Sequence, residues 1–170
     1  MIISFVLSYC IMKKKNRWRH IWIWFIVAFY IYYIFHHSMM VAEASNELSY
    51  GVTYKLMNFL QRFGIYTDFY VFHHYVRKLA HFAEFAGLGF LVGLAMHICP
   101  LFKSRFLNFT LFLFLIPISD EFIQQFYDGR STELTDVLID GAGILFGGFV
   151  IYVIILIIKD LFFIKNTESN

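Results

Sequence analysis

Residues 136–158 read DVLIDGAGILFGGFVIYVIILII, an apolar run broken only near its start, where Asp136 and Asp140 stand about one helical turn apart. A helix of about 20 residues crosses the roughly 30 Å hydrocarbon core of a bilayer, and the stretch Val137 to Ile158 has that length. The two carboxylates are out of place in it. Near the bilayer centre each costs roughly 2.5 to 3.5 kcal/mol on insertion scales, so it persists only by meeting a partner, water or a ligand. Asp136, Asp140, Gly143 and Gly147 fall on one helical face. Two acids are thus followed by two small residues that let a neighbouring helix come close.

The rest of the chain repeats this character. Of its 170 residues 59% are apolar, 21% aromatic and only 15% charged, and its mean hydropathy is +0.63. These values exclude a soluble globular domain and a disordered chain. Further spans read as Ile21 to Ala42, Leu79 to Ile98 and Phe106 to Phe122, and Pro117 is expected to kink the last of these. The fold expected is all-α, a multi-pass transmembrane bundle of about four spanning helices with no sizeable soluble domain. A net charge of +2, carried by dispersed basic residues, argues against a nucleic-acid partner. Cys10 and Cys99 fit no zinc-site spacing and read as inert thiols.

Met1 to Met12 forms an apolar extension too short to span. Lys13, Lys14, Lys15, Arg17 and Arg19 follow it, the reverse of the order in a cleaved signal. Met12, directly before the lysine run, is a second candidate start. The chain therefore divides into an extension at 1–12, a transmembrane domain at 13–158 and a cytoplasmic tail at 159–170. Nine of the fourteen Lys and Arg residues fall on the N-terminal side of the spans, so both termini are expected in the cytoplasm by the positive-inside rule. Trp18, Trp22 and Trp24 suit an inner interfacial belt. Glu43 to Val76 is the long outer loop. Leu48, Val52, Leu56, Phe59, Leu60 and Phe63 recur in it at helical spacing, predicting a short amphipathic helix on the outer surface.

Two more polar groups accompany Asp136 and Asp140. Arg77, His81 and Glu84 make one stripe running about 10 Å down the outer end of the second span. Asp120, Glu121, Gln124 and Gln125 close the third span. Under the expected topology all these groups lie in the outer half of the bilayer, together with Lys78 and with Arg130 in a turn eased by Gly129. Five crowded carboxylates cannot all stay ionised without cations. Some pair with Arg77, Lys78 or Arg130, some hold protons, or a metal sits among them. His36, His37, His73 and His74 read as solvated helix-end residues, His97 as an inner-interface residue, and Gly87, Gly89 and Gly93 as helix-packing contacts.

Four ordered blocks carry a resemblance: Arg-Lys-x-x-His-x-x-Glu-Phe-x-x-Leu-Gly-Phe at 77–90, Ser-Asp-Glu-x-x-Gln-x-Phe at 119–126, Gly-Arg-Ser at 129–131 and Asp-Val-x-x-Asp-x-x-Gly at 136–143. With Ala-Glu-x-Ser after the first span, they make most of residues 13–158 similar to the VanZ-like family. The resemblance implies a multi-pass protein of the bacterial cytoplasmic membrane. The family's name-giving member is associated with resistance to teicoplanin-type glycopeptide antibiotics. It also implies that Arg77, Lys78, His81, Glu84, Asp120, Glu121, Gln124, Gly129, Arg130, Asp136 and Asp140 occupy the family's polar motif positions. The extension before Met12 and the aromatic stretch Tyr66 to Tyr75 depart from the pattern.

Three readings of the polar groups stay open. They can form a salt-bridge network that fixes helix register, with Arg77 on Glu84 or Asp140 and Arg130 on Asp136, although such networks gain little over apolar packing. They can form an outward-facing pocket for a lipid-tailed partner, a membrane lipid, a lipid-linked envelope precursor or a lipoglycopeptide. Arg77, Lys78 and Arg130 would then hold an anionic head, with Phe82, Phe85, Phe122 and Phe126 lining an apolar groove. Or they can form an enzyme, in which His81, Glu84, Asp120, Glu121, Asp136 or Asp140 hold a divalent cation, Mg²⁺ or Mn²⁺ by the carboxylate-rich donor set, that activates water against a lipid-linked ester or phosphate. Ion translocation is disfavoured, because the cytoplasmic halves of the spans lack an acidic relay.

Overall fold

The computed structural model describes residues 20–40, 42–127 and 133–168. The 1–12 extension, the lysine run, and Gly129 and Arg130 in their turn lie outside the described residues. The described chain is helical throughout: α1 (Trp22–Ser38), α2 (Ala42–Gln61), α3 (Phe69–Ile98), α4 (Arg105–Gln124) and α5 (Leu134–Glu168). Three stretches, Phe69–Ile98, Phe106–Gln124 and Leu134–Leu161, are long and apolar enough to cross a membrane.

Local chemistry sets the helix ends. The Asp68 carboxylate accepts the backbone N–H groups of Tyr70 and Val71 at 2.9 and 3.1 Å, and the Ser104 hydroxyl accepts that of Leu107 at 3.2 Å. Both satisfy donors that a helix start leaves open. Gly64, with φ +78°, turns the chain after α2, a conformation that carries little penalty without a Cβ. The Asp68 cap starts α3 ten residues before the expected span at Leu79, and so draws the aromatic stretch from Phe69 to Tyr75 into the helix. At the other extreme, α1 is 17 residues long and ends at Ser38 rather than continuing to Ala42. α4 runs unbroken through Pro117.

The helices are arranged by the α3–α5 seam. A Cβ on Gly147 would overlap the Ala86 carbonyl, one on Gly89 would overlap Ile144, and one on Gly143 would meet the Phe82 carbonyl. These contacts advance together along both chains, so α3 and α5 run parallel with their backbones in close contact. Gly87 packs against Tyr30, and Gly93 against Ile151 and Gly148, as packing glycines should. Around the seam Ile23, Val27 and Ile34 of α1, Phe85, Leu88, Val92 and Ala95 of α3, Ile116 of α4 and Ile144 of α5 form the core.

Outside that core the usual distribution is inverted. Phe25, Phe29, Leu138 and Phe149 face outward, while Ser38, Thr53, Asn108, Asp120, Glu121, Gln124 and Asp140 are buried. An apolar exterior around a polar interior is what lipid solvation favours.

Side-chain contacts define two ends of the bundle. At one, Trp24 at the start of α1 donates its indole N–H to the carbonyl of Cys99, just past α3, at 2.7 Å. At the other, the end of α1 meets the end of α4 through Ser38 and Asp120, and the first half of α3 meets the start of α5 through Lys78 and Asp136. The polar stripes of α3, α4 and α5 gather at this second end.

Candidate functional site

Three helices each bring one metal-competent donor to the polar end. His81 of α3, Asp120 of α4 and Asp140 of α5 place one donor atom apiece within 4.8 Å of one another. His81 Nδ1 stands 3.7 Å from Asp140 Oδ1. The register is set by the seam, because Gly143 and Gly147 follow Asp140 at one- and two-turn intervals and lock α5 against Phe82 and Ala86. Two ionised carboxylates this close repel each other by roughly 3 to 4 kcal/mol at an effective dielectric constant of about 20.

Asp120 is held from two sides. Ser38 donates its hydroxyl to one carboxylate oxygen, and the Gln124 amide donates to the other at 2.7 Å. Ser38 carries no periodic signal in the sequence. It is a lone hydroxyl at the end of an apolar run, and only the meeting of α1 with α4 reveals its role.

Beside this group lies a cleft of about 220 Å³ between α1, α2 and α3, with His37, Ser49, Arg77, His81 and Glu84 among its polar residues and Val52 and Val76 among its apolar ones. Arg77, His81 and Glu84 thus share one lining, as their i, i+4, i+7 spacing requires. His81 belongs both to the cleft and to the donor group. His37 pairs with Glu84 across 3.8 Å.

The other expected residues are placed differently. Lys78 reaches Asp136 at 2.8 Å and Glu133 at 3.4 Å, tying α3 to the start of α5 rather than lining the cleft. Thr135 and Lys78 bind Glu133, just before α5, and hold its carboxyl below the usual range. Glu121 is buried and accepts the backbone N–H of Glu133 at 3.2 Å. Glu84, Glu121 and Asp136 are outside the three-donor group, although all three are near enough to repel a charge on Asp140.

The expected phenylalanine groove does not form around the cleft. Phe85 is wholly buried in the core, Phe82 packs on Phe146 at 5.6 Å, and Phe122 and Phe126 make an exposed edge-to-face pair. Nor are the four histidines alike. His36 and His74 are exposed, whereas His73 is buried against Tyr50 and shares a 2.7 Å hydrogen bond with Ser49. His73 is therefore engaged where α2 packs on α3, not with the carboxylates.

These features define a helical membrane-type protein whose buried polar residues, Asn108 apart, gather toward one end of an apolar bundle. The VanZ/LLP1 family profile matches residues 21–158, and the chain belongs to that family. No curated protein and no solved structure matches it.

Proposed function

We propose that this protein binds the anionic head of a lipid-tailed cell-envelope component in the cleft that contains Arg77. In this reading α1 crosses the bilayer with α3, α4 and α5, both termini face the cytoplasm of a bacterium, and the cleft opens in the outer half of the membrane. The observation that carries it is the juxtaposition of a cleft lined by Arg77 with an exposed apolar run on α2 that starts at its rim. The Arg77 guanidinium in this lining is of the kind that recognises phosphate or carboxylate oxygens. From Val52, which lines the cleft, exposed apolar residues continue along α2 through Leu56 and Phe59 to Phe63 just past its end, a surface on which an acyl chain can lie while α2 rests at the interface. A lipoglycopeptide of the teicoplanin type has the same combination of acyl tail and polar body, which connects this reading to glycopeptide resistance.

The test uses purified protein in detergent containing chelator, with dodecyl phosphate and dodecanol as probes. Dodecyl phosphate is expected to bind about tenfold or more tightly than dodecanol, since a charge-assisted hydrogen bond contributes roughly 1.5 to 3 kcal/mol. Arg77→Gln is expected to remove that preference. Equal binding of the two probes, or an unchanged preference in Arg77→Gln, overturns the reading.

A second reading is favoured by the convergence of His81, Asp120 and Asp140. It is divalent-metal-dependent hydrolysis or group transfer on a lipid-linked envelope substrate, in which these three residues would hold the cation and the cation would supply activation of water.

A further inference from the structure

Asp140 has no exposed surface, and among the described residues neither of its carboxylate oxygens has a hydrogen-bond partner. Its ion-pair contact with His81, at 3.7 Å, is longer than a hydrogen bond. Around it stand Asp120, Glu121, Asp136 and Glu84, all of one sign. A buried acid with unused lone pairs in an acidic surrounding is a group whose partner is still to be supplied.

We propose that His81, Asp120 and Asp140 form a binding site for one divalent cation of the Mn²⁺ class. Each donor comes from a different helix, so the site is made by the fold rather than by a local acidic run. Two carboxylates and one imidazole make a predominantly hard donor set, and the imidazole suits a transition ion better than Ca²⁺ or Mg²⁺. Cis donors around an ion held at about 2.1 Å lie roughly 3 Å apart. The three donor atoms already lie within 4.8 Å of one another, so binding draws the side chains inward by a rotamer-scale movement. Ser38 and Gln124 fix the Asp120 carboxylate as supporting residues do around metal ligands. Three protein donors leave further coordination positions for water or an anionic oxygen. Because His81 also borders the Arg77 cleft, an ion here stands next to whatever the cleft holds.

The site stands on the helix geometry, independently of the headgroup reading. The test titrates Mn²⁺ into chelator-treated, dialysed full-length protein without added phosphate, following loss of the free-ion electron paramagnetic resonance signal. One ion per chain is expected, with affinity falling at least tenfold in both Asp140→Asn and His81→Gln. Gel filtration and circular dichroism confirm that the variants fold. If a variant does not, the wild-type stoichiometry and the rise in melting temperature on adding Mn²⁺ decide instead. Absence of Mn²⁺ uptake by the wild type, or uptake unchanged in the folded variants, overturns the site. Dodecyl phosphate binding in chelator can survive that failure, and Mn²⁺ uptake can survive loss of phosphate binding, so the two proposals fail separately.

Discussion

Asn108 and Asp140 are both completely buried polar residues, one at each end of the bundle, and their surroundings are opposite. The Asn108 amide donates to the carbonyls of Phe102 and Ser104 at 3.0 and 2.6 Å, and its oxygen accepts the Phe102 N–H at 3.0 Å. It closes the loop between α3 and α4 and is used up in doing so. Asp140 has the same burial and, among the described residues, no hydrogen bond to its carboxylate. Burial of a polar group is costly unless hydrogen bonds offset it. Asn108 meets that requirement from within the chain, whereas the Asp140 carboxylate leaves it open. A region that breaks the rule of polar satisfaction inside an otherwise consistent fold is where a functional site is to be sought.

The largest effect is expected from disturbing what holds both ends in register. In Gly147→Leu the new side chain meets the Ala86 backbone, which cannot move aside as a flexible side chain would. Stability should fall by about 3 kcal/mol or more, read as loss of monodisperse protein on extraction. A well-folded Gly147→Leu that retains Mn²⁺ uptake would break the link between the seam and the placement of Asp140.

Next in size is Asn108→Ala, which strips the Phe102 N–H and carbonyl of their partner and leaves the Ser104 carbonyl only the backbone N–H of residue 108. It should destabilise the protein by about 2 to 3 kcal/mol, measured by thermal unfolding in detergent, while dodecyl phosphate binding to the folded fraction stays unchanged. Loss of ligand binding without loss of stability would erase the contrast between the ends.

Much of this contrast was legible in the residues, for identifiable reasons. The apolar lengths marked α3, α4 and α5 because lipid solvation demands continuous hydrophobicity. The spacing of Arg77, His81 and Glu84 put them on one face, and that of Asp140, Gly143 and Gly147 put an acid directly above a packing seam. Helix beginnings were less legible. Histidines and tyrosines interrupt the apolar signal between Phe69 and Tyr75, yet the Asp68 cap and the packing of Tyr50, Tyr54 and Ser49 carry α3 through them. Single residues were least legible. Ser38 and Ser49 have no periodicity of their own, and whether a phenylalanine such as Phe85 enters the core or lines a groove depends on which neighbour its face meets. Lys78 and Arg77 are adjacent and alike in charge, but the helical turn sends one to Asp136 and the other into the cleft.

The most direct test of the central claim, that the Asp140 end is shaped for a ligand rather than for stability, is the melting temperature of Asp140→Asn beside wild type, both in chelator. The amide keeps the shape of the carboxylate and removes its charge among Asp120, Glu121, Asp136 and Glu84. The account predicts a variant at least as stable as wild type that has lost Mn²⁺ uptake. A variant destabilised by about 2 kcal/mol or more, the scale of losing a satisfied buried group, would show that Asp140 is a structural residue and contradict the account.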